Sequence, residues 1–231
     1  MIRLDGLSKA YSCNLTIIEV DDFEFERGDL IAITGPNGTG KSTLLLMLSG
    51  LLLPTAGSAT IDDHAPGSHA ARAVMSFVPD RPALFDDLTI SEQMFYVARL
   101  HGLDKPYEAA IDLLEVLDAE DLLDRFSHSL SKGQRQKAGL LVATSRPFDA
   151  LLLDEPVSGL DADSESAFIE QLVDFAEQDK LVLVSTHTDE VIDACTRVTA
   201  IVNGELVEGD AIGPERDDSE LEGGVVDEDA D

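Results

Sequence analysis

The chain has 231 residues, 44% of them hydrophobic, with 46 acidic against 16 basic side chains and a formal net charge of -30 at pH 7. That apolar fraction can fill one large domain, or a core plus a lobe, and it excludes wholesale disorder. The charge argues against a nucleic-acid-binding surface, which needs a basic stripe, and disfavours docking onto anionic lipid headgroups.

Residues 2–26 alternate well enough for two strands, Ile2-Arg3-Leu4 and Thr16 to Phe25, joined by a turn around Ser12-Cys13-Asn14 that holds Tyr11. Arg27-Gly28-Asp29 turns the chain into Leu30-Ile31-Ala32-Ile33-Thr34, a short run rich in β-branched residues that reads as a buried strand. Next comes Gly35-Pro36-Asn37-Gly38-Thr39-Gly40-Lys41-Ser42-Thr43, which fits G-x-x-x-x-G-K-[ST] in full, and then the helix-forming run Leu44 to Leu48. Strand, glycine turn and helix together are the context in which this motif binds phosphate. Gly35, Gly38 and Gly40 can take positive φ and bring backbone N–H groups close to a polyphosphate. A helix starting near Lys41 adds its partial positive charge, Lys41 can reach the terminal phosphates, and Ser42 offers a hydroxyl to Mg²⁺.

Pro54 to Gly57 breaks the chain, Ser58 to Ile61 reads as a strand, and Val74 to Val78 as another stopped by Pro79. Thr89-Ile90-Ser91-Glu92 is a capping box, so a helix is expected from Ile90 to Leu100, ended by Gly102. A second helix is expected over Pro106 to Leu117, with Ala110, Ile111, Leu114 and Leu117 as its apolar stripe, and a third over Ala119 to Arg125. Ala150 to Leu153 and Leu181 to Ser185 read as buried strands around a helix from Ser164 to Glu177, a βαβ crossover. Val198 to Val202, Asn203-Gly204 and Glu205 to Val207 form a hairpin with a type I′ turn. Four regions result: 1–79, a core with a β flank; 80–147, a helical lobe; 148–209, the rest of the core; and 210–231, an acidic tail that reads as disordered.

Residues 214–231 hold nine acids and one Arg, a net of -8, so -22 of the -30 lies elsewhere. An acidic tail alone therefore does not account for the surplus, which is similar to that of proteins from salt-loving organisms. Cys13 and Cys195 show no CxxC spacing, which suggests neither a zinc site nor a disulfide framework. The start of the chain has no apolar signal-peptide run, and the apolar stretch Leu44 to Leu53 is interrupted by Ser49 and Gly50 and too short to cross a bilayer. The expectation is a protein of a reducing compartment, without membrane insertion.

Asp154 and Glu155 follow the apolar strand at 150–153. A strand-end Asp suits a Mg²⁺ contact, and a Glu one position on can polarise a water, although an apolar run ending in Asp-Glu can also be a strand end in solvent. Between the glycine loop and this pair lies Leu130-Ser131-Lys132-Gly133-Gln134-Arg135-Gln136-Lys137. With it, residues 2 to about 208 resemble the ATP-binding subunit of ABC transporters, whose signature is Leu-Ser-Gly-Gly-Gln, with Lys132 in place of the first glycine. The resemblance implies an α/β phosphate-loop NTPase core with an antiparallel β flank and a helical lobe carrying the signature. It places Tyr11 on adenine, Ser131, Gly133 and Gln134 at a γ-phosphate, and Ser158-Gly159-Leu160-Asp161 at a dimer interface. It also makes His187 the switch histidine, and puts Asp80 where the family usually has a Mg²⁺-ligating Gln. Asp is one methylene shorter and negative, and at this place looks like a group of ABC-2-type, export-like systems.

The implied activity is MgATP hydrolysis by a head-to-tail dimer, a homodimer or a pair with a paralogous ATPase subunit. Its closing would drive a separate membrane permease from the inner face of the cell membrane, with the chain itself cytoplasmic. The alternative is a soluble ABC ATPase without a permease, such as an iron–sulfur assembly scaffold.

Overall fold

A computed structural model describes residues 1–12 and 15–209. Cys13 and Asn14 of the expected turn, and the acidic tail, lie outside the described residues. The framework is a ten-stranded sheet in the order β3-β1-β2-β10-β9-β4-β8-β7-β6, with β5 on the other edge of β1. The strands are β1 (Ile2–Ser12), β2 (Leu15–Val20), β3 (Phe23–Phe25), β4 (Leu30–Thr34), β5 (Ala56–Ile61), β6 (Met75–Val78), β7 (Ala150–Asp154), β8 (Leu181–Ser185), β9 (Arg197–Val202) and β10 (Glu205–Glu208). The helices are α1 (Lys41–Leu48), α2 (His69–Val74), α3 (Ile90–Leu100), α4 (Glu108–Val116), α5 (Lys132–Thr144), α6 (Ala162–Glu177) and α7 (Asp189–Ala194).

β6, β7, β8, β4 and β9 run parallel, and β10 then turns antiparallel onto β9. Every residue of β4, β7 and β8 is buried, as strands covered on both faces must be. The two-residue period shares them between two cores. Leu151, Leu153, Val182 and Val184 pack with α5 and α6, whereas Ala150, Leu152, Leu181 and Leu183 pack with Leu44, Leu45, Met47 and Leu48 of α1. Truncating such a leucine to Ala costs about 2–5 kcal/mol, so the strand ends are held firmly.

The first strand is longer than expected because it has three partners. β2 and β3 pair successive stretches of one edge and β5 pairs the other. The expected strand from Thr16 to Phe25 is two, and Tyr11 sits at the end of β1 rather than in a turn. The capping box forms at Thr89 and α3 spans the expected residues. In α4 the buried face is Ala109, Ala110 and Leu113, followed by Leu117, while Ile111 is half exposed, so packing against α5 rotates the stripe. The expected third helix is a single 3₁₀ turn, Glu120–Leu122. α2 and α7, six residues each, are too short to show a period. Asn203 and Gly204 take φ of 51° and 88°, the I′ conformation that the hairpin requires.

Candidate active site

Four parallel strands deliver functional residues at their C-terminal ends, where open α/β sheets place ligands. β4 leads into the glycine loop, β6 into Asp80, β7 ends in Asp154, and β8 is followed by Thr186 and His187. Gly35 has φ of 135°, and a Cβ there would lie 2.8 Å from the Ile201 carbonyl oxygen. Gly40 has φ of 114°, and a Cβ would press on Ile17 and Ile18 at 3.2–3.3 Å. The loop is thus clamped between β9 and β2. The Thr39 hydroxyl donates to the Pro36 carbonyl at 2.9 Å and its N–H donates to the same oxygen at 3.3 Å, closing the turn.

No side chain caps α1 at Gly40, so the first-turn N–H groups are left for an anion. The Lys41 ammonium donates to the carbonyls of Gly35 at 2.6 Å and Pro36 at 3.3 Å, and the residue is 7% exposed. Its stem is therefore fixed and its charge is held over the loop.

Asp154 is buried beside its register partner Ser185, whose hydroxyl donates to Asp154 Oδ1. Glu155 has φ of 50°, and its N–H donates to the Ser185 carbonyl at 3.0 Å. Among the described residues the other non-glycine positions with positive φ are Asp62, Asp63, Asp118, Asp179 and Asn203, types that tolerate this region. Glu155 is not such a type, and the strain of roughly 1–3 kcal/mol sits at the centre of the site. His187 Nδ1 lies 2.9 Å from Glu155 Oε2, within ion-pair distance, with side chains 77% and 18% exposed. The contact is not aligned as a hydrogen bond, so Oε2 is a buried acceptor with no donor among the described residues. Such an oxygen can take a proton from a water.

These groups share one cleft of about 390 Å³, lined by Asn37, Gly38, Gly40, Lys41, Ser42, Thr43, Asp80, Asp154, Glu155, Ser158 and His187. Three carboxylates face one lysine and one histidine, so a polyphosphate needs an added cation to bind here. The donors fit Mg²⁺: the Ser42 hydroxyl and the Asp80 and Asp154 carboxylates are hard oxygens in the same cleft. Among the described residues no group of three or more His, Cys, Asp or Glu forms a metal site.

The signature residues line no part of this cleft. Ser131 caps α5 in a reciprocal capping box with Gln134. A Cβ at Gly133 would lie 2.1 Å from the Gly159 carbonyl oxygen, so the signature packs directly on the loop after Glu155. Asp161 caps α6 by accepting the Ser164 N–H at 2.9 Å, a bond that, with the Ser164 hydroxyl, holds its carboxyl at a pKa of about 2. Lys137 ties this cap to α4, donating to Ser164 Oγ and the Leu117 carbonyl, each at 2.7 Å. Gly35, Pro36 and Thr39 shape the loop without lining the cleft, and Tyr11 is 60% exposed and outside it, with Lys9 Nζ 5.5 Å from its ring centre. In sequence Ser158 stands out only within the interface motif and Ser185 only as a strand end, whereas the structure places one in the cleft and the other on Asp154.

A glycine loop between strand and helix, a buried lysine and strand-end carboxylates across one cleft define a phosphate-loop nucleoside triphosphatase. The sequence matches the model of the ABC transporter family over residues 18–158, and the chain belongs to that family. The SkfA peptide export ATP-binding protein SkfE of Bacillus subtilis (strain 168) is 32% identical over 90% of this chain and 88% of its own. The ABC transporter ATP-binding protein NatA of the same organism is 34% identical, also over 90% and 88%. A solved ATP-binding subunit of an ABC transporter matches with a TM-score of 0.80 at 28% identity, over 91% of this chain and 90% of that one. The dimeric bacterial ABC transporter cassette MJ0796 shares the fold, with a TM-score of 0.82 at 24% identity over 91% and 98%. The chain is an ATP-hydrolysing subunit of this family, whose members work with membrane components. No helix among the described residues is long and apolar enough to cross a membrane.

Proposed function

We propose that two copies of this chain, or one copy and a paralogous subunit, close head to tail on two MgATP and drive a separate export permease. The observation that carries this is the half-built cleft. The glycine loop, Asp80, Asp154, Glu155 and His187 line it, whereas Ser131, Gly133 and Gln134 lie outside it, with Gly133 packed on Gly159. A second chain would bring its signature to complete the site.

Lys41, the loop N–H groups and the α1 N-terminus bind the phosphates, and Ser42, Asp154 and Asp80 would hold Mg²⁺. When bound, that ion neutralises charge developing on the phosphate oxygens. Glu155 orients a water and accepts its proton, and His187, beside Glu155, contacts the terminal phosphate. Export is supported by Asp80 at the usual Gln position and by the likeness to a peptide export ATP-binding protein. Phe85 (51% exposed) and Tyr96 (46%) meet edge to face with ring centres 5.7 Å apart, and Phe95 (47%) and Leu100 (65%) are also exposed on α3, apolar area suited to a permease loop. The chain would then sit at the inner face of the cell membrane through that permease. The spread of negative charge supports a high-salt interior as its setting.

Glu155→Gln is the test. It removes the proton acceptor and leaves the binding cation, so turnover falls at least a hundredfold, ATP affinity is kept, and ATP shifts the protein to a dimer in gel filtration. A variant that hydrolyses ATP normally, or that stays monomeric with ATP bound, would refute the arrangement.

A further inference from the structure

We propose that Lys132 is a positioning residue of the nucleotide site, acting through Ser158. This inference rests on the assignment of the cleft to ATP. In this chain Lys132 stands in place of the first glycine of the signature. Its Nζ donates to Ser158 Oγ at 2.8 Å, and its Cδ would lie 3.8 Å from a Cβ on Gly159. The next residue, Gly133, meets Gly159 backbone to backbone. Lysine and glycine thus grip the same loop at two successive positions.

The chemistry of that grip has a direction. An ammonium only donates, so Ser158 Oγ must accept from it, and the hydroxyl proton is left to donate elsewhere. Ser158 lines the cleft, and the bond from Lys132 is the one its hydroxyl makes among the described residues. Accepting from a cation also makes the hydroxyl a stronger donor, because successive hydrogen bonds polarise one another. An anion in the cleft is the acceptor that suits it. The Ser158 N–H meanwhile donates to the Glu155 carbonyl at 3.2 Å, so the serine is fixed one turn from the proposed base. Lys132 therefore lends cationic character to the cleft without entering it, in a site whose carboxylates outnumber its lysine. A glycine at this position, as in the usual signature, could not do this.

The test is a double-mutant cycle of Lys132→Ala, Ser158→Ala and both, with Lys132→Arg as the conservative variant. Two readouts are taken: kcat and KM for ATP, and the affinity for ADP with and without orthovanadate, an anion that occupies the terminal-phosphate position and needs no turnover. Each single alanine variant is expected to lose about tenfold in kcat and in the vanadate-dependent gain in affinity. That is the low end for a hydrogen bond to a charged group, because Lys132 is exposed. KM and the affinity for ADP alone stay within about twofold, since Lys41 and the loop hold those phosphates. The double variant is no worse than Ser158→Ala, and Lys132→Arg recovers most of the loss. Losses that multiply to about a hundredfold, a Lys132→Ala variant equal to wild type, or a defect that tracks the melting temperature and is not rescued by Arg would each overturn the proposal. An inactive wild type would count against ATP hydrolysis itself, and the vanadate arm would still decide the role of Lys132.

Discussion

Gly133→Ala sets two effects of one methyl group against each other. Gly133 is the second residue of α5, where replacing glycine by alanine stabilises a helix by about 1 kcal/mol. Its new Cβ, however, would lie 2.1 Å from the Gly159 carbonyl oxygen, a backbone atom that no side-chain rotation can move away. Restoring an ordinary contact of about 3.5 Å requires a separation of roughly 1.4 Å, and overpacking of this kind costs about 1–3 kcal/mol. The net is a destabilisation of about 0–2 kcal/mol, or a melting temperature lower by at most about 8 °C at 2–4 °C per kcal/mol for a chain of this size. The effect on turnover is larger. The displaced loop carries Ser158, which lines the cleft and is bonded to Glu155, and a misplacement of about 1 Å can cost a hundredfold in rate. Calorimetric melting and ATP turnover on the same preparation separate the two. A variant that melts a few degrees lower and hydrolyses ATP at the normal rate would show that the signature and the Glu155–Asp161 loop move independently, against the reasoning here.

Three other outcomes follow from the site. Lys41→Ala loses nucleotide binding itself, by tenfold or more in dissociation constant, because the phosphates lose the one lysine of the cleft; calorimetric titration with ATP checks it, and unchanged affinity would refute it. Asp80→Ala raises the Mg²⁺ concentration for half-maximal turnover several-fold and Asp80→Gln restores it, whereas an unchanged Mg²⁺ titration would leave the loop no part in holding the ion. Melting temperature and ATP-induced dimerisation both rise from 0.05 to 3 M KCl, as the Debye length falls to about 3 Å at 1 M, dimerisation more steeply because two acidic chains approach each other. A flat or falling melting temperature would mean that the acidity is not an adaptation to salt.

How much of this was legible in sequence follows from the range of each interaction. β4 and β8 could be read to the residue because both faces are buried and the apolar run has sharp ends. α3 was legible through its capping box, a contact across three residues, and the β9–β10 hairpin through Asn203-Gly204. Motif spacing singled out Lys41, Ser42, Asp154 and Glu155, which share the cleft, whereas Gly35, Pro36 and Thr39 of the same motif shape the loop beside it. What escaped depends on distant partners or short lengths. α2 and α7 have under two turns, β1 is set by three partners, and the rotated face of α4 is set by α5. The contact of Lys132 was not legible because its partner Ser158 lies 26 positions away.

The strand order also bears on how the chain is made. Leu30 of β4 pairs with Val182 of β8, and the other edge of β4 is covered by β9. Both neighbours of the strand that carries the phosphate loop are therefore synthesised about 150 residues after it. At roughly 5–20 residues per second, that strand waits about 8–30 s with both edges unpaired while the chain grows. During that interval Ile31 and Ile33, which finish fully buried, have no sheet to join. Pairings of such long range fold slowly and leave aggregation-prone edges exposed, so the loop motif that comes early in the chain can be the last to acquire its shape. Ribosome-stalled chains ending before residue 181 should then bind no ATP, although they contain the whole loop.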